Sequence, residues 1–176
     1  MKTAAVVFCL AFALFLTLCL LGDSKVWLTP AVTSATFAYH FVMRLAVGNV
    51  YNILLHNRVN YRRWWFRPRF FEKKLYRLLG VKGWKNRLPT YDPDTFSAQL
   101  HSWDEIAQAT CQSELVHETI MVLSFVPLLA IGPLGSAGVF IITSSAAALF
   151  DSLFVMTQRF NRFRLVRLLE KADRKG

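Results

Sequence analysis

Residues 4–21 form an uncharged apolar run near the start of the chain, and this run constrains the fold more than any other feature. As an α-helix its 18 residues extend for roughly 27 Å, which matches the hydrocarbon thickness of a bilayer. The alternative is a cleaved signal peptide, because Lys2 precedes the run. The run is long and no A-x-A cleavage site follows it, so we favour a retained membrane helix.

A second predicted membrane segment covers residues 30–55 and is more polar than the first. Thr29 and Pro30 have the pattern of a helix start, with a capping residue followed by proline in the first turn. Arg44 lies within the segment, and a lipid-facing helix would not carry it. We therefore predict that its polar side faces other helices or a wet cavity. An amphipathic helix lying in the membrane interface is the alternative.

Two more predicted membrane segments follow, at residues 102–131 and 136–157, separated by a Gly-Pro turn. Ser102 and Glu105 have the spacing of a capping box, which predicts a helix start at that point. The second of these segments has about 22 residues and a single charged side chain, Asp151.

Charge is concentrated outside these segments, and the chain has a formal net charge of +10. The basic stretches are residues 56–101, where arginines and lysines alternate with aromatic residues, and the tail at 158–176. Such a mixture can bind nucleic acid, but between membrane segments it favours contact with anionic lipid headgroups. We predict membrane lipids as partners and no nucleic acid.

The positive-inside rule places both basic stretches in the cytoplasm, which requires an even number of crossings between them. We therefore predict an all-α integral membrane protein of the cell membrane, a single domain over residues 1–176. It has about four transmembrane helices in two hairpins, a basic, aromatic-rich cytoplasmic interfacial segment, and both termini in the cytoplasm. The three cysteines do not form a pattern typical of a disulfide framework or a thiolate metal site.

Glu114, His117 and Glu118 lie on one face of the predicted 102–131 helix. Counted from the Gly-Pro turn at 1.5 Å per residue, His117 and Asp151 both lie about 25 Å away. Arg44, counted from Pro30, lies at about 21 Å. Ionisable groups at membrane depth mark functional sites by default, so we predict a polar cavity that opens to the cytoplasm.

Two alternatives compete with a reaction site there. A Glu-x-x-His pair is half of a di-iron site in helical bundles, but no second motif is present, so we predict no metal. The charged groups could also be intramembrane ion pairs, Arg44 with Asp151 or Glu114.

Two motifs carry a family resemblance: Glu-Leu-Val-His at residues 114–117 and Gln-Arg-Phe-Asn-Arg-x-Arg-Leu at 158–165. Together, at this separation, they resemble the glycosyl-diaponeurosporenoate acyltransferase family of small membrane enzymes. The likeness runs from about Phe70 to the C-terminus, with weaker matches at Phe71-Glu72 and Trp84-Lys85. It implies transfer of a fatty acyl group to a hydroxyl of a membrane glycolipid, such as a carotenoid glucoside.

The resemblance also suggests roles for residues. His117 is the expected general base, oriented by Glu114 or Asp151. The expected substrate-binding residues are Arg44, Glu118, Gln158, Arg159, Asn161, Arg162 and Arg164. Of these, the amides are expected to donate to the oxyanion and the tail arginines to hold a phosphate or carboxylate.

No cofactor is expected; the co-substrate is an acyl donor such as acyl-CoA or acyl-carrier protein. A covalent route through Cys111 or Ser113 stays open, although neither lies in a nucleophile elbow. The alternative functions are a non-catalytic membrane subunit or lipid-binding protein, and a metal-dependent membrane hydrolase.

Overall fold

The computed structural model describes residues 1–22, 25–89 and 92–174, without the side chains of Lys25 and Asp173. The fold is all-helical, with 81% of residues in helix and no strand in the described part of the chain. The α-helices are α1 (Lys2–Leu21), α2 (Leu28–Leu55), α3 (Glu72–Leu78), α4 (Val81–Trp84), α5 (Trp103–Leu123), α6 (Ile131–Leu134) and α7 (Ala137–Asp173). Short 3-10 turns occur at Lys25–Trp27, Trp64–Phe66, Lys85–Arg87, Asp94–Phe96 and Val126–Ala130.

Among the described residues, three helical stretches are long and apolar enough to cross a membrane: Lys2–Leu21, Trp103–Leu134 and Ala137–Ala172. This agrees with the predicted membrane location. Helix α2 is long enough at 28 residues, but it is not one of the three because Thr, Ser, His, Arg and Asn residues lower its hydropathy. Its crossing, and with it the count of four, stays a prediction.

The regular α-helix of the central segment ends inside the predicted 102–131 range. Helix α5 stops at Leu123, and a 3-10 turn with Pro127 near its start follows. A proline ring clashes with the carbonyl four residues earlier and supplies no N–H to it, and here that carbonyl belongs to Leu123. The hydroxyl of Tyr39 donates to the freed carbonyl oxygen at 2.8 Å. The α-helix in the predicted 102–131 segment is therefore interrupted before Pro127, while the stretch that is apolar enough to cross a membrane continues to Leu134.

The last helix is longer than predicted. Residues 136–157 were expected as the membrane segment and 158–176 as a tail, but α7 continues for 37 residues to Asp173. No proline interrupts it, and its only glycine is Gly138 near the start. Residues 175 and 176 of the predicted tail lie outside the described residues. The smaller difference at α2 is a start at Leu28, which puts Thr29 and Pro30 inside the first turn.

The chain divides into two compact units. The first contains residues 1–50 and 119–150, and the second contains residues 51–118 and 151–176. In the first unit, Nη2 of Arg44 lies 3.5 Å from the carbonyl oxygen of Ala147. The second unit holds every other predicted site residue. Two apolar clusters form part of its core: Val59, Phe66 and Cys111 in one, and Ile106, Ala107 and Leu165 in the other.

Candidate functional site

The capping box at the start of α5 is confirmed. The backbone N–H of Ser102 donates to Oε2 of Glu105 at 2.8 Å, and the N–H of Glu105 donates to Oγ of Ser102 at 3.3 Å. This reciprocal pair satisfies two N–H groups that a helix start leaves without partners. The helix then presents Ala107, Cys111 and Glu114 on one fully buried side.

His117 and Asp151 contact each other directly. Nδ1 of His117 lies 2.8 Å from Oδ1 of Asp151, and the imidazole stacks on the ring of Phe154 at 4.5 Å between centroids. The Asp151 side chain is 2% exposed, whereas the His117 side chain is 20% exposed. With the Nδ1 proton donated to the carboxylate, the lone pair of the imidazole lies on Nε2. The structure thus brings together the two residues that helical rise placed at one depth.

Glu114 is fully buried and belongs to a separate ionic network whose other members are mostly buried. Its Oε1 pairs with Arg159 and its Oε2 with Arg162. Arg159 also contacts Oε1 of Glu72, at 2.9 Å from Nε and 2.6 Å from Nη2. Two carboxylates and two guanidiniums give a formal charge of zero. Both oxygens of Glu114 are engaged with arginines, so the orientation of His117 rests on Asp151.

Both arginines of this network are held by protein acceptors. The five N–H groups of Arg159 donate to Glu72, Glu114 and the carbonyl oxygens of Trp65 and Arg67. Arg162 is almost fully buried, lies over the ring of Phe66 at 5.0 Å and approaches the Phe66 carbonyl oxygen at 3.4 Å. Nη1 of Arg162 is buried and makes no hydrogen bond with the described residues, so only for Arg159 would the predicted contact with a substrate anion require such bonds to break.

The remaining predicted residues of the second unit have different surroundings. Oε2 of Glu118 accepts a hydrogen bond from Nε1 of Trp65 at 3.0 Å. Oδ1 of Asn161 accepts one from Nζ of Lys85 at 2.9 Å. Oε1 of Gln158 is buried and accepts no hydrogen bond within the described part of the chain. Arg164 is exposed.

Sequence reasoning assigned no role to three residues of this region: Glu72, Trp65 and Lys85. A signal for Glu72 was present, because it is the single acidic residue among the many cations of residues 56–90. Lys85 is half-buried, and burial, together with the charge of Arg164, lowers the pKa of its ammonium group. No sequence pattern indicated the hydrogen bond from Trp65 to Glu118.

A groove of about 260 Å³ borders the ionic network. Phe71, Leu75 and Met156 give it apolar walls, while Glu72, Arg159 and Glu118 supply charge. Tyr76 also lines it, and burial, reinforced by the charge of Glu72, raises the pKa of this phenol to about 12. The groove combines an apolar wall with a few polar groups, which is typical of ligand sites.

Cys111 is fully buried in the cluster with Val59 and Phe66. An acyl donor could reach its thiol only if this cluster opened, so the geometry does not favour a covalent route through it. Among the described residues, no group of three or more His, Cys, Asp or Glu side chains could hold a metal ion.

The sequence model of the glycosyl-4,4'-diaponeurosporenoate acyltransferase family matches residues 62–171. The chain belongs to this family. The match covers α3 to α7 almost completely and includes His117, Asp151 and the whole ionic network. No curated protein and no solved structure matches the chain. Membership of the family assigns an acyltransferase role to this protein in general terms.

Proposed function

We propose that this protein transfers a fatty acyl group from a thioester donor to a hydroxyl of a membrane glycolipid, with His117 as the general base. The observation that carries the proposal is the 2.8 Å contact between Nδ1 of His117 and Oδ1 of Asp151. It leaves Nε2 as the proton acceptor on a side chain that is partly exposed. An imidazole is suited to this role because its ordinary pKa lies near working pH.

In the proposed reaction, Nε2 of His117 first accepts a proton and later returns it. Nε2 of His117 takes the proton of the acceptor hydroxyl while the oxygen forms a bond to the acyl carbonyl carbon. Asp151 stabilises the imidazolium that results. The carbon–sulfur bond then breaks, and the leaving thiolate takes the proton back from Nε2. The product is an ester, and neither redox chemistry nor a metal is needed.

The groove beside the ionic network supports an apolar substrate. Its walls include Phe71, Leu75 and Met156, and Glu118, the chain neighbour of His117, also lines it. At about 260 Å³ it is smaller than most sites for a whole ligand, so we assign it to the first part of the acyl chain. Acyl-CoA and acyl-carrier protein are the proposed donors, and a carotenoid glucoside is the acceptor that the family description suggests.

The test is acyl transfer by purified protein in lipid vesicles, with a labelled acyl thioester and a glycolipid acceptor. His117→Ala should lower turnover by about 10²- to 10⁴-fold, which is the usual contribution of general base catalysis. Asp104→Asn, an exposed polar change on the same helix, should retain activity. Both variants should melt near the wild-type temperature in detergent. Near-normal turnover by a folded His117→Ala variant would remove this residue from the mechanism.

A further inference from the structure

A second, polar cavity of about 430 Å³ lies in the unit formed by residues 51–118 and 151–176. Its volume is within the range of small-molecule sites. None of its lining residues belongs to the His117–Asp151 pair or to the ionic network. The proposed acyl transfer therefore leaves this cavity without a role.

One part of the lining is rich in hydrogen-bond donors. His56, Arg58 and His101 all line the cavity, and the guanidinium of Arg58 makes no hydrogen bond or ion pair with the described residues. Among the described lining residues the single carboxylate is that of Glu105; its Oε2 accepts hydrogen bonds from the N–H and the hydroxyl of Ser102 and lies 3.9 Å from Nδ1 of His101. The hydrogen-bond donors of the cavity thus outnumber its acceptors, because the carboxylate of Glu105 is already bonded to Ser102 at the start of α5.

Two other lining residues offer acceptors. The hydroxyl of Thr95 donates to Oδ2 of Asp92 at 2.6 Å, which leaves lone pairs on its oxygen. The side-chain amide of Gln108 donates to Oδ2 of Asp104 at 2.7 Å, which leaves its Oε1 as an acceptor. The cavity therefore suits a ligand with both an anionic group and hydroxyl groups.

The backbone of this wall is held in an uncommon conformation. His56 and Asn57 have φ angles of 49° and 58°, in the left-handed region that disfavours residues with a Cβ. The N–H of Asn57 donates to Oε1 of Gln112 at 2.7 Å, a contact that helps to keep this conformation. Backbone strain that the surroundings maintain is common at ligand sites.

We propose that this cavity binds a phosphate ester whose neighbouring group carries at least one free hydroxyl. Arg58 and the two histidines bind the phosphate, and the oxygens of Thr95 and Gln108 accept from the hydroxyls. The headgroup of phosphatidylglycerol has this chemistry through its glycerol hydroxyls, and the nucleotide of coenzyme A has it through the free 2′-hydroxyl of its ribose. A site for the lipid headgroup is independent of the proposed acyl transfer, whereas a site for coenzyme A rests on acyl-CoA being the donor.

The experiment measures binding to the purified full-length protein in detergent. The probes are phosphatidylglycerol in mixed micelles, phosphatidylcholine in the same micelles, and coenzyme A in solution. We expect phosphatidylglycerol or coenzyme A to bind, and Arg58→Gln to weaken that binding at least tenfold. Arg77→Gln is the matched control, because this exposed arginine at the end of α3 does not line the cavity.

A second variant, His101→Glu, keeps the test valid if Arg58→Gln does not fold. The side chain of His101 is exposed, so the substitution should not disturb folding. A carboxylate at this position repels phosphate, so we expect His101→Glu to weaken binding at least as much as Arg58→Gln does. Preference for phosphatidylglycerol identifies a lipid site, and preference for coenzyme A identifies a nucleotide site. Equal affinity for phosphatidylcholine, which lacks hydroxyls, overturns the proposal. It is also overturned if both cavity variants bind as well as Arg77→Gln, or if neither phosphate ligand binds.

Discussion

Glu114 and His117 are separated by one turn of α5, yet their side chains differ in burial and in the polar groups that they contact. Glu114 is fully buried, and arginines engage both of its oxygens. His117 has one nitrogen on a buried carboxylate and remains partly exposed. A fully buried carboxylate with an arginine against each oxygen is not available to a substrate, whereas a partly exposed imidazole with one open nitrogen is.

The comparison distinguishes the residues that stabilise the fold around the site from the pair that takes part in the reaction. Glu72 on α3, Glu114 on α5 and Arg159 on α7 connect three helices through charge-assisted hydrogen bonds. Oδ1 of Asp151 contacts Nδ1 of His117 and fixes the orientation of that ring. Substitution of a residue in the ionic network should therefore mainly reduce stability. Substitution of His117 or Asp151 should mainly reduce activity.

Glu114→Gln gives the largest expected effect. It removes one of two carboxylates from beside two buried guanidiniums, which leaves Arg162 as an uncompensated buried charge. We expect the free energy of unfolding to fall by about 3–5 kcal/mol, measured by thermal melting in detergent. Glu118→Gln, one turn further along, is the control and should melt near the wild-type temperature because the partner of Glu118 is the neutral indole of Trp65. An unchanged melting curve for Glu114→Gln would show that the network does not stabilise the fold.

Asp151→Asn gives the next largest effect, and it should appear in activity. The amide cannot stabilise the imidazolium and favours the other tautomer of His117, so we expect turnover to fall by about 10²- to 10⁴-fold. Acyl transfer in vesicles measures the loss, with Asp104→Asn as the matched carboxylate change. A variant that loses stability instead of turnover would place Asp151 with the structural network.

The sequence predicts the His117–Asp151 pair because helical rise is constant and both residues can be counted from one turn. The same reasoning cannot predict the contact of Glu72 with Arg159, which are separated by 87 positions. The described residues 56–89 and 92–101 contain only short helices and turns, and their sequence has no periodicity that would fix their packing. The early end of α5 was predictable in principle, since Pro127 disrupts the carbonyl of Leu123.

Tyr76→Phe gives the smallest effect and tests the edge of the network. Burial and the charge of Glu72 raise the pKa of the phenol to about 12, whereas an unfolded tyrosine titrates near about 10. Between these values the unfolded chain loses the proton and the folded protein keeps it. The free energy of unfolding should therefore fall as the pH rises from about 10 to about 12.

Phenylalanine has no proton to lose, so the Tyr76→Phe variant should lose stability less steeply than the wild type in this window, while the two should melt alike near neutral pH. Melting temperatures recorded at a series of pH values measure the two slopes. Ultraviolet absorbance of tyrosinate in the folded protein should show one fewer late-titrating phenol in the variant. Equal slopes would mean that Tyr76 ionises as readily in the folded protein as in the unfolded chain. Solvent would then reach Glu72 through the groove. The ionic network would not be shielded from solvent, and the contrast with the partly exposed His117 would fail.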